Sequence, residues 1–517
     1  MFEKLPKNRE FFYHSFLKNK SFGQQIGFTF AVSKQMEKAV QYETVIGLEV
    51  HARLNTKSKL FSGDAVAFGA EPNTNISPIV LAHPGTLPKM NKKAIEYAVK
   101  MGLACHCEIA KENWFARKNY FYPDLPKGYQ VSQHTTPICI GGYISIRTQA
   151  GKREIKLNRI HLEEDAGRSI HDADDENTCI DYNRAGAPLI EIVTEPDLQS
   201  GDEAYSYLTE IRKLVRYLDI CDGNMEEGSL RCDANISVRK KGDSKLGTKV
   251  EVKNLNSIRN VKRAIEAEAV RLIEILESGG QILQQTRSYD AGSNTTFAIR
   301  DKEDADDYRY FPEPDLTPFH LTEAFIENIK NQIPALPEEK AQHYISSFQL
   351  SDADAHWLAG EKNIAAYFET VTKNTGNYKA AANWIQGPIQ TWMNENGNEI
   401  STFPLAPAAI AQLIQIIDDG QISFSAASGK LFDALIKSPE TEPGLLAEKL
   451  DLLQQSNVDE LTPVVDKVLN KFSDKVIEYQ KGKKGLLALF TGEVMKLTKG
   501  KADPKMVTKI LNEKLKK

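Results

Sequence analysis

Strict alternation of apolar and polar residues first appears at residues 44–54, TVIGLEVHARL. Ile46 and Val50 fall on one face of the extended chain, whereas Glu49 and His51 fall on the other. This pattern predicts a half-buried β-strand whose second face carries ionisable side chains.

Two longer segments predict β-hairpins. Residues 141–165 contain two alternating runs with a turn at residues 149–151. Residues 229–255 contain two more runs, separated by a glycine-containing loop at residues 242–247. Antiparallel strands are therefore expected in both segments.

Two amphipathic helices are predicted between the strands. The first covers about residues 202–218 and follows a capping box formed by Ser200 and Glu203. The second covers about residues 258–277 and ends at Gly279. Strands with interspersed helices, without strict βαβ alternation, indicate an α+β fold with a mixed sheet.

Beyond Pro318 the pattern becomes helical. Glu, Lys, Ala, Leu and Gln dominate, and prolines interrupt the segment repeatedly. We interpret residues 330–439 as a helical connector. In the following block, apolar residues recur at helical spacing behind Thr462 and Pro463, which we predict as the N-cap and first residue of a helix.

These patterns predict four parts. Residues 42–329 form a mixed-sheet domain, residues 330–439 the connector domain, and residues 440–517 a small basic helical tail domain. Residues 1–41 are an N-terminal extension, and we expect the natural chain to start at Met36, where the recognisable pattern begins. N-terminal sequencing of native protein tests this expectation, which a chain beginning at the first methionine would contradict.

Charge is distributed unevenly along the 517 residues. The net charge of −5 excludes a wholly basic nucleic-acid coat, yet residues 474–517 contain 12 lysines and 5 acidic residues. Such a basic tail favours contact with polyanions. No apolar run reaches the roughly 18 residues that span a bilayer, so no membrane role is expected. Six cysteines in a chain of this length favour free thiols and a reducing, cytoplasmic compartment.

Several segments of the first domain carry oxygen and imidazole ligands at spacings that place them on strand faces or just after a strand. Carboxylate and amide oxygens suit Mg²⁺, and one histidine among them also suits Mn²⁺ or Zn²⁺. Acidic residues are usually exposed without a ligand, so a solvated strand face is the alternative interpretation. The candidates are Glu49, His51, Glu163, Glu164, Asp165, Asp233 and Asn235.

Basic residues mix with aromatic residues at 115–133, FARKNYFYPDLPKGYQVSQ. Lys118 and Lys127 lie among tyrosines there, a combination that can bind phosphate and stack bases. The alternative interpretation, which composition supports equally, is a loop whose aromatic rings pack on the sheet. Lys253 and Asn254 are further phosphate candidates, although a surface lysine is the simpler interpretation.

The familiar nucleotide and nucleophile motifs are missing. The sequence has no G-x-x-x-x-G-K-[ST] loop, no G-x-G-x-x-G after a strand and no G-x-S-x-G elbow. Any ATP site must therefore use a different phosphate cradle.

Nine motifs in a single order resemble the B subunit of tRNA-dependent amidotransferases, which convert glutamyl-tRNA(Gln) to glutaminyl-tRNA and often aspartyl-tRNA(Asn) to asparaginyl-tRNA. The resemblance covers residues 42–517. The motifs are ETVIGLEVHARL, EPNTNISPIVL, FARKNYFYPDLPKGYQ, IHLEEDAGRS, DYNRAGAPLIEIVTEPD, GSLRCDANISVR, VEVKNLNS, DYRYFPEPDL and TGEVMKLTKGKADP.

This resemblance implies an α+β cradle, a helical domain and a helical tail. It also implies that ATP is a substrate and Mg²⁺ a cofactor, both bound without a P-loop. Catalytic roles are implied for Glu49, His51, Glu164 and Asp233. The same four residues, together with Asn235, are the implied metal ligands.

Other implied roles concern ammonia and nucleic acid. Lys118, Lys127 and Glu164 match an ammonia channel. The tail matches the part that meets the body of the tRNA, and its lysines are expected to neutralise phosphates. The tail lysines predicted to contact tRNA are Lys496, Lys499 and Lys501.

The implied function is a ligase that forms a carbon–nitrogen bond with glutamine as amide donor. It would work as a heterotrimer with an amidase-type A subunit and a small C subunit on misacylated tRNA(Gln), tRNA(Asn) or both. Two alternatives stay open, a stand-alone metal-dependent hydrolase and a non-catalytic tRNA-binding scaffold.

Overall fold

Contacts between residues divide the chain into two compact units, residues 1–334 and 335–517. The predicted division into four parts stays a prediction, and the N-terminal extension lies almost wholly outside the described residues. A computed structural model describes residues 41–171, 176–301, 308–454, 458–498 and 502–516.

The first unit contains a large mixed sheet with helices, which confirms the α+β class. Its helices are α1 Lys92–Ala104, α2 Gly201–Tyr217, α3 Ile258–Glu277 and α4 Glu323–Lys330. Its strands are β1 Tyr42–Arg53, β2 Glu108–Ile109, β3 Glu112–Asn113, β4 Ala116–Asn119, β5 Tyr129–Ser132, β6 Cys139–Ile140, β7 Tyr143–Thr148, β8 Gly151–Glu164, β9 Arg168–Ile170, β10 Cys179–Asp181, β11 Pro188–Thr194, β12 Leu230–Lys240, β13 Val250–Lys253, β14 Gln285–Asp290, β15 Thr295–Asp301, β16 Phe311–Pro312 and β17 Phe319–His320.

Within the described residues, thirteen strands join one sheet, with the main order β15-β14-β13-β12-β1-β11-β8-β5-β4-β16. β13 and β14 run parallel. β1 lies in the interior of this order and pairs antiparallel with β11 and β12. Both predicted hairpins are confirmed, as β7 with β8 and β12 with β13.

The alternation of β1 decides which of its side chains enter the core. Ile46 and Val50 are fully buried, whereas Glu49 and His51 on the other face are half-buried. Helix α3 packs on β12, and α2 packs on α3 and β7. The central strand therefore has a dry apolar face and a polar face.

Both predicted helices of this unit are confirmed to within one residue. The Ser200 hydroxyl accepts a hydrogen bond from the Glu203 backbone N–H at 3.2 Å and caps α2. Gly279 follows the end of α3 with φ of +76°, a conformation that glycine adopts without strain.

A buried carboxylate joins α3 to the edge of the sheet. Glu268 on α3 is fully buried. It accepts hydrogen bonds from Arg271 Nε at 3.1 Å and from the Thr296 hydroxyl at 2.6 Å, and it lies 3.6 Å from Arg287 Nε. One carboxylate thus neutralises two arginines.

We predict that Glu268→Gln lowers the free energy of unfolding of this unit by about 3 kcal/mol, because two arginines then lose their buried counter-charge. Thermal melting monitored by circular dichroism measures the effect. Glu266→Gln, an exposed change on the same helix, is the matched control and should leave the transition in place. Equal melting of both variants would contradict the prediction.

The second unit is helical. Its α-helices are α5 Pro337–Phe348, α6 Asp352–Ala359, α7 Lys362–Thr372, α8 Tyr378–Trp384, α9 Gln390–Asn396, α10 Pro407–Asp418, α11 Phe424–Ala426, α12 Phe432–Lys437, α13 Pro443–Lys449, α14 Val458–Lys471, α15 Ser473–Gln480, α16 Leu486–Leu497 and α17 Pro504–Leu515. Its buried residues form two apolar clusters, one within residues 341–447 and one within residues 461–515. None of the described helices is both long and apolar enough to cross a membrane.

The predicted start of α14 was wrong. The helix already includes Val458, so Thr462 and Pro463 lie inside it instead of at its N-terminus. The Thr462 hydroxyl donates to the Val458 carbonyl oxygen at 2.7 Å, a local bond that the helical turn provides.

All six cysteines are free thiols, as predicted, and five of them are buried. Burial raises the pKa of the Cys107 thiol to about 12, so this group stays protonated and unreactive near neutral pH.

Candidate metal centre and adjoining cavities

Strand register creates a row of ionisable side chains across the polar face of the sheet. His51 on β1 lies opposite Glu191 on β11, and Glu191 lies opposite His161 on β8. Directly opposed residues of antiparallel strands have neighbouring side chains. Glu163 follows His161 by two residues on β8, so it projects from the same face.

These residues form a first cluster, defined as His51, Glu163 and Glu191, whose ligand atoms all lie within 4.8 Å of one another. The His51 Nε2 atom lies 3.5 Å from a carboxylate oxygen of Glu163 and 3.5 Å from one of Glu191. One imidazole nitrogen and two carboxylates are a ligand set that divalent metals accept.

His161 lies next to the first cluster and orients its Glu191 carboxylate. Arg159 Nε donates to its Nδ1 atom at 3.4 Å, which leaves the proton on Nε2, 3.2 Å from Glu191 Oε2. A histidine that donates to a ligating carboxylate in this way fixes the orientation of that carboxylate.

Electrostatics in the first cluster favour a positive charge. Burial alone lowers the pKa of His51, but the hydrogen bond and charge of Glu191 and the charge of Glu163 more than offset it and raise the pKa to about 9. Burial works against the charged form of Glu191 as well, yet hydrogen bonds from His161 and His51 hold its pKa well below the usual range. A divalent cation among the three ligand atoms would replace the proton that His51 carries.

A second cluster, defined as Glu49, Asp233 and Glu251, lies on the neighbouring strands, again with its ligand atoms within 4.8 Å of one another. Glu49 on β1 is opposite Asp233 on β12. Asn235 is opposite Glu251 on β13 and donates to Glu49 Oε1 at 2.9 Å. The second cluster is therefore an all-oxygen site with an amide beside it.

Lys253 lies against the second cluster. Its ammonium group contacts Asp233 and lies 3.0 Å from Glu251 Oε1. Burial opposes its charge, but these two carboxylates outweigh that effect and raise the pKa of Lys253 above its usual value. The lysine therefore places a positive charge against carboxylates that would also attract a metal ion.

A cavity of about 640 Å³ adjoins the second cluster and includes Asp233 and Asn254 in its wall. The Nε atom of Arg184 lies 3.5 Å from Asp165 Oδ2, and the Nη2 atom of Arg231 lies 3.0 Å from Asp165 Oδ1. The Nε atom of Arg231 is buried without a hydrogen-bond partner among the described residues. The arginines of this cavity are Arg53, Arg168, Arg184 and Arg231.

A separate cavity of about 220 Å³ contains Lys127 and Glu164. Glu164 Oε1 accepts from the Val131 backbone N–H at 2.9 Å and contacts the Lys127 ammonium group. Because adjacent strand residues point to opposite faces, Glu164 lies away from the face that Glu163 shares with His51.

Lys118 lies between tyrosine rings. Its Nζ atom is 4.7 Å from the ring centroid of Tyr308 and 5.6 Å from that of Tyr120. Its charge also acts on Glu163 of the first cluster. Cation–π contacts of this kind hold a lysine in place without neutralising it.

The structure thus distributes the predicted site residues over three places. Glu49, Asp233 and Asn235 come together with Lys253. His51 joins Glu163, a candidate in the sequence, instead of Glu164, which joins Lys127.

Sequence reasoning missed two residues of these clusters, Glu191 and Glu251, and also His161 beside the first cluster. Glu191 is the lone charged residue in the apolar strand PLIEIVT, whereas His161 and Glu251 lie in the segments IHLEE and VEVK, which contain other polar residues. For Glu191, the available signal was a lone acidic residue in a strand whose other residues predict burial.

In the tail, Lys496 is exposed near the end of α16. Lys499 and Lys501, the other predicted tRNA contacts, lie outside the described residues.

The structure thus shows an α+β domain with two ligand clusters on one face of its sheet, beside two cavities. These features define a candidate metal-dependent catalytic domain. Comparison with protein families agrees. The model of the GatB/GatE catalytic domain matches residues 44–327, and the model of the GatB domain matches residues 366–515.

Named relatives share most of the chain. It is 46% identical over 477 residues to the B subunit of the aspartyl/glutamyl-tRNA(Asn/Gln) amidotransferase from Thermodesulfovibrio yellowstonii. It is 47% and 48% identical over 478 residues to the proteins of the same name from Persephonella marina and Alkalilimnicola ehrlichii. Each match covers 92% of this chain and 100% of the relative. The chain belongs to the family of aspartyl/glutamyl-tRNA(Asn/Gln) amidotransferase B subunits, as its motifs predicted.

Proposed function

We propose that this chain phosphorylates the side-chain carboxylate of Glu-tRNA(Gln), Asp-tRNA(Asn) or both with ATP and then amidates it with ammonia. The observation that carries the proposal is the pair of ligand clusters side by side on one face of the central sheet. Family membership supports the substrate class, because the relatives are named for these tRNAs. The reaction is that of a carbon–nitrogen ligase.

The donor sets fit divalent cations. His51, Glu163 and Glu191 offer a nitrogen and two carboxylates, and the second cluster offers oxygen alone, the preference of Mg²⁺. Bound Mg²⁺ would supply charge neutralisation at the transferring phosphoryl group. Asn235 holds the Glu49 carboxylate in position through its amide N–H.

We assign ATP to the arginine-lined cavity beside the second cluster. Arg168 and Arg231 in its wall can bind phosphate oxygens without a P-loop, and the Arg231 Nε donor needs an acceptor. Asn254 also lines the cavity and adopts a φ of +62°, which asparagine tolerates. The substrate carboxylate attacks the γ-phosphorus there, and ADP leaves to give an acyl phosphate.

We assign ammonia delivery to the smaller cavity. Glu164 accepts a proton from ammonium, since the attacking nucleophile must be neutral. Lys127 holds the Glu164 carboxylate in place through direct contact. Ammonia then passes Lys118, attacks the acyl carbon of the acyl phosphate and expels phosphate. Glu164 is therefore proposed for the channel, and its implied role as a metal ligand stays a prediction.

Further subunits complete this proposal. The sequence has no G-x-S-x-G elbow or other clear nucleophile for glutamine hydrolysis, so ammonia comes from an amidase-type A subunit, with a small C subunit in the same heterotrimer. The lysine-rich tail contacts phosphates of the tRNA, with Lys496 among its exposed cations. Free thiols fit a reducing cytoplasmic location.

The test mixes the purified heterotrimer with glutamine, ATP, Mg²⁺ and either Glu-tRNA(Gln) or Asp-tRNA(Asn). ATP-dependent appearance of Gln-tRNA or Asn-tRNA is the expected result and identifies the substrate. Ammonia-independent product release by the isolated chain would favour a hydrolase. Unchanged activity after joint replacement of Glu49 and His51 by alanine would favour a non-catalytic scaffold. Either outcome contradicts the proposal.

A further inference from the structure

Lys59 is a buried cation that the proposed reaction does not use. Only 1% of the solvent-accessible surface of Lys59 is exposed. The residue lines the 220 Å³ cavity that contains Glu164. Its Nζ atom donates one hydrogen bond, to the Tyr182 carbonyl oxygen at 3.4 Å. Within the described part of the chain, it pairs with no carboxylate at ion-pair distance. Burying an ammonium group without such a partner is unfavourable.

The surroundings of Lys59 preserve much of its charge. Burial lowers the pKa of Lys59 to about 8, although the charges of Asp64, Glu164 and Asp181 oppose that shift. The group is therefore mainly protonated at neutral pH. An ammonium group has three N–H donors, so Lys59 retains donors that the described residues do not accept.

Lys59 and Glu164 border the same small space. A methyl group placed on Gly186 would lie 3.4 Å from Lys59 Cδ and 3.8 Å from Glu164 Oε2. Gly186 has a φ of +81° and no side chain, which keeps this space open. Lys127 contacts the same Glu164 carboxylate. Two lysines and one carboxylate therefore line a cavity large enough for a small polar molecule.

We propose that Lys59 is a further residue of the ammonia path, where its Nζ donates a hydrogen bond to neutral ammonia and repels ammonium. Ammonia has one lone pair that accepts such a bond, whereas ammonium has none and carries the same charge as Lys59. A fixed positive charge in the wall of this cavity therefore favours neutral ammonia over ammonium. This inference rests on the proposed amidation.

The experiment compares Lys59→Met with Lys57→Met in the complete heterotrimer. Lys57 is exposed two residues away and is the matched control. Amidation is measured with glutamine and, separately, with ammonium chloride. Glutamine-supported amidation by Lys59→Met is expected to fall about tenfold, while ammonium-supported amidation stays within about twofold of the control. The glutamine consumed for each amide formed should rise.

A charge-conserving variant separates charge from packing. Lys59→Arg should recover most of the coupling between glutamine use and amide formation, and Lys59→Gln replaces Lys59→Met if that variant fails to assemble. Unchanged coupling in the uncharged variant, an equal fall with both nitrogen sources, or an assembled Lys59→Arg as uncoupled as Lys59→Met would each overturn the inference. A wild-type heterotrimer that amidates with neither nitrogen source would instead refute the proposed function.

Discussion

Glu163→Gln is expected to lower amidation by about three orders of magnitude with either glutamine or ammonium as nitrogen source. Glu163 is 4% exposed, and its carboxylate lies 3.5 Å from His51 Nε2 and 3.9 Å from His161 Nε2. Glutamine keeps the volume of the side chain but removes the negative charge that a divalent ion needs. The loss should therefore appear as weaker metal binding and not as misfolding.

Metal content after dialysis, measured by mass spectrometry, and the rate of amidation check this prediction together. Glu154→Gln is the matched control, because Glu154 is an exposed residue of the same strand β8. The control should keep both metal and activity. Full metal content and near-normal turnover in Glu163→Gln would remove the first cluster from the mechanism.

The local rules of strand and helix formation predicted much of the fold. Alternation at residues 44–54 placed Glu49 and His51 on one face of a half-buried strand, as the structure has them. Ser200 correctly predicted the start of α2, and Gly279 correctly predicted the end of α3. Each of these features depends on neighbours within a few residues, which the sequence displays directly.

The order of strands in the sheet could not be predicted in this way. β1 is paired with β12, whose residues follow almost 200 positions later, and no local pattern encodes that choice. The register then decides that His51 faces Glu191 while Glu49 faces Asp233. Two separate clusters arise from one strand because its two polar residues meet different partners.

Strand geometry separates two adjacent glutamates that were both candidates in the sequence. Glu163 and Glu164 are adjacent in IHLEED, and adjacent residues of a strand face opposite sides. His161 and Glu163 share a side by the same rule, so alternation already favoured Glu163 as the partner of a histidine. Lys253, whose predicted phosphate binding stays a prediction, contacts two carboxylates of the second cluster.

Glu164→Gln is expected to separate the two halves of the reaction. Its carboxylate contacts Lys127 and the Val131 backbone N–H in the smaller cavity, away from both ligand clusters. The variant should therefore keep its metal and its ATP hydrolysis in the presence of misacylated tRNA. Glutamine-supported amidation should fall by about 10²-fold or more, the size expected for loss of a positioned proton acceptor.

Release of phosphate and formation of amide, measured in the same reaction mixture, distinguish this outcome from loss of a metal ligand. The comparison with Glu163→Gln is informative because the two glutamates are neighbours on β8 and receive the same isosteric change. If alternation governs their roles, Glu163→Gln loses ATP hydrolysis and metal together, whereas Glu164→Gln loses amide formation alone. Identical defects in the two variants would mean that both carboxylates serve one site, and the proposed channel would then lack its proton acceptor.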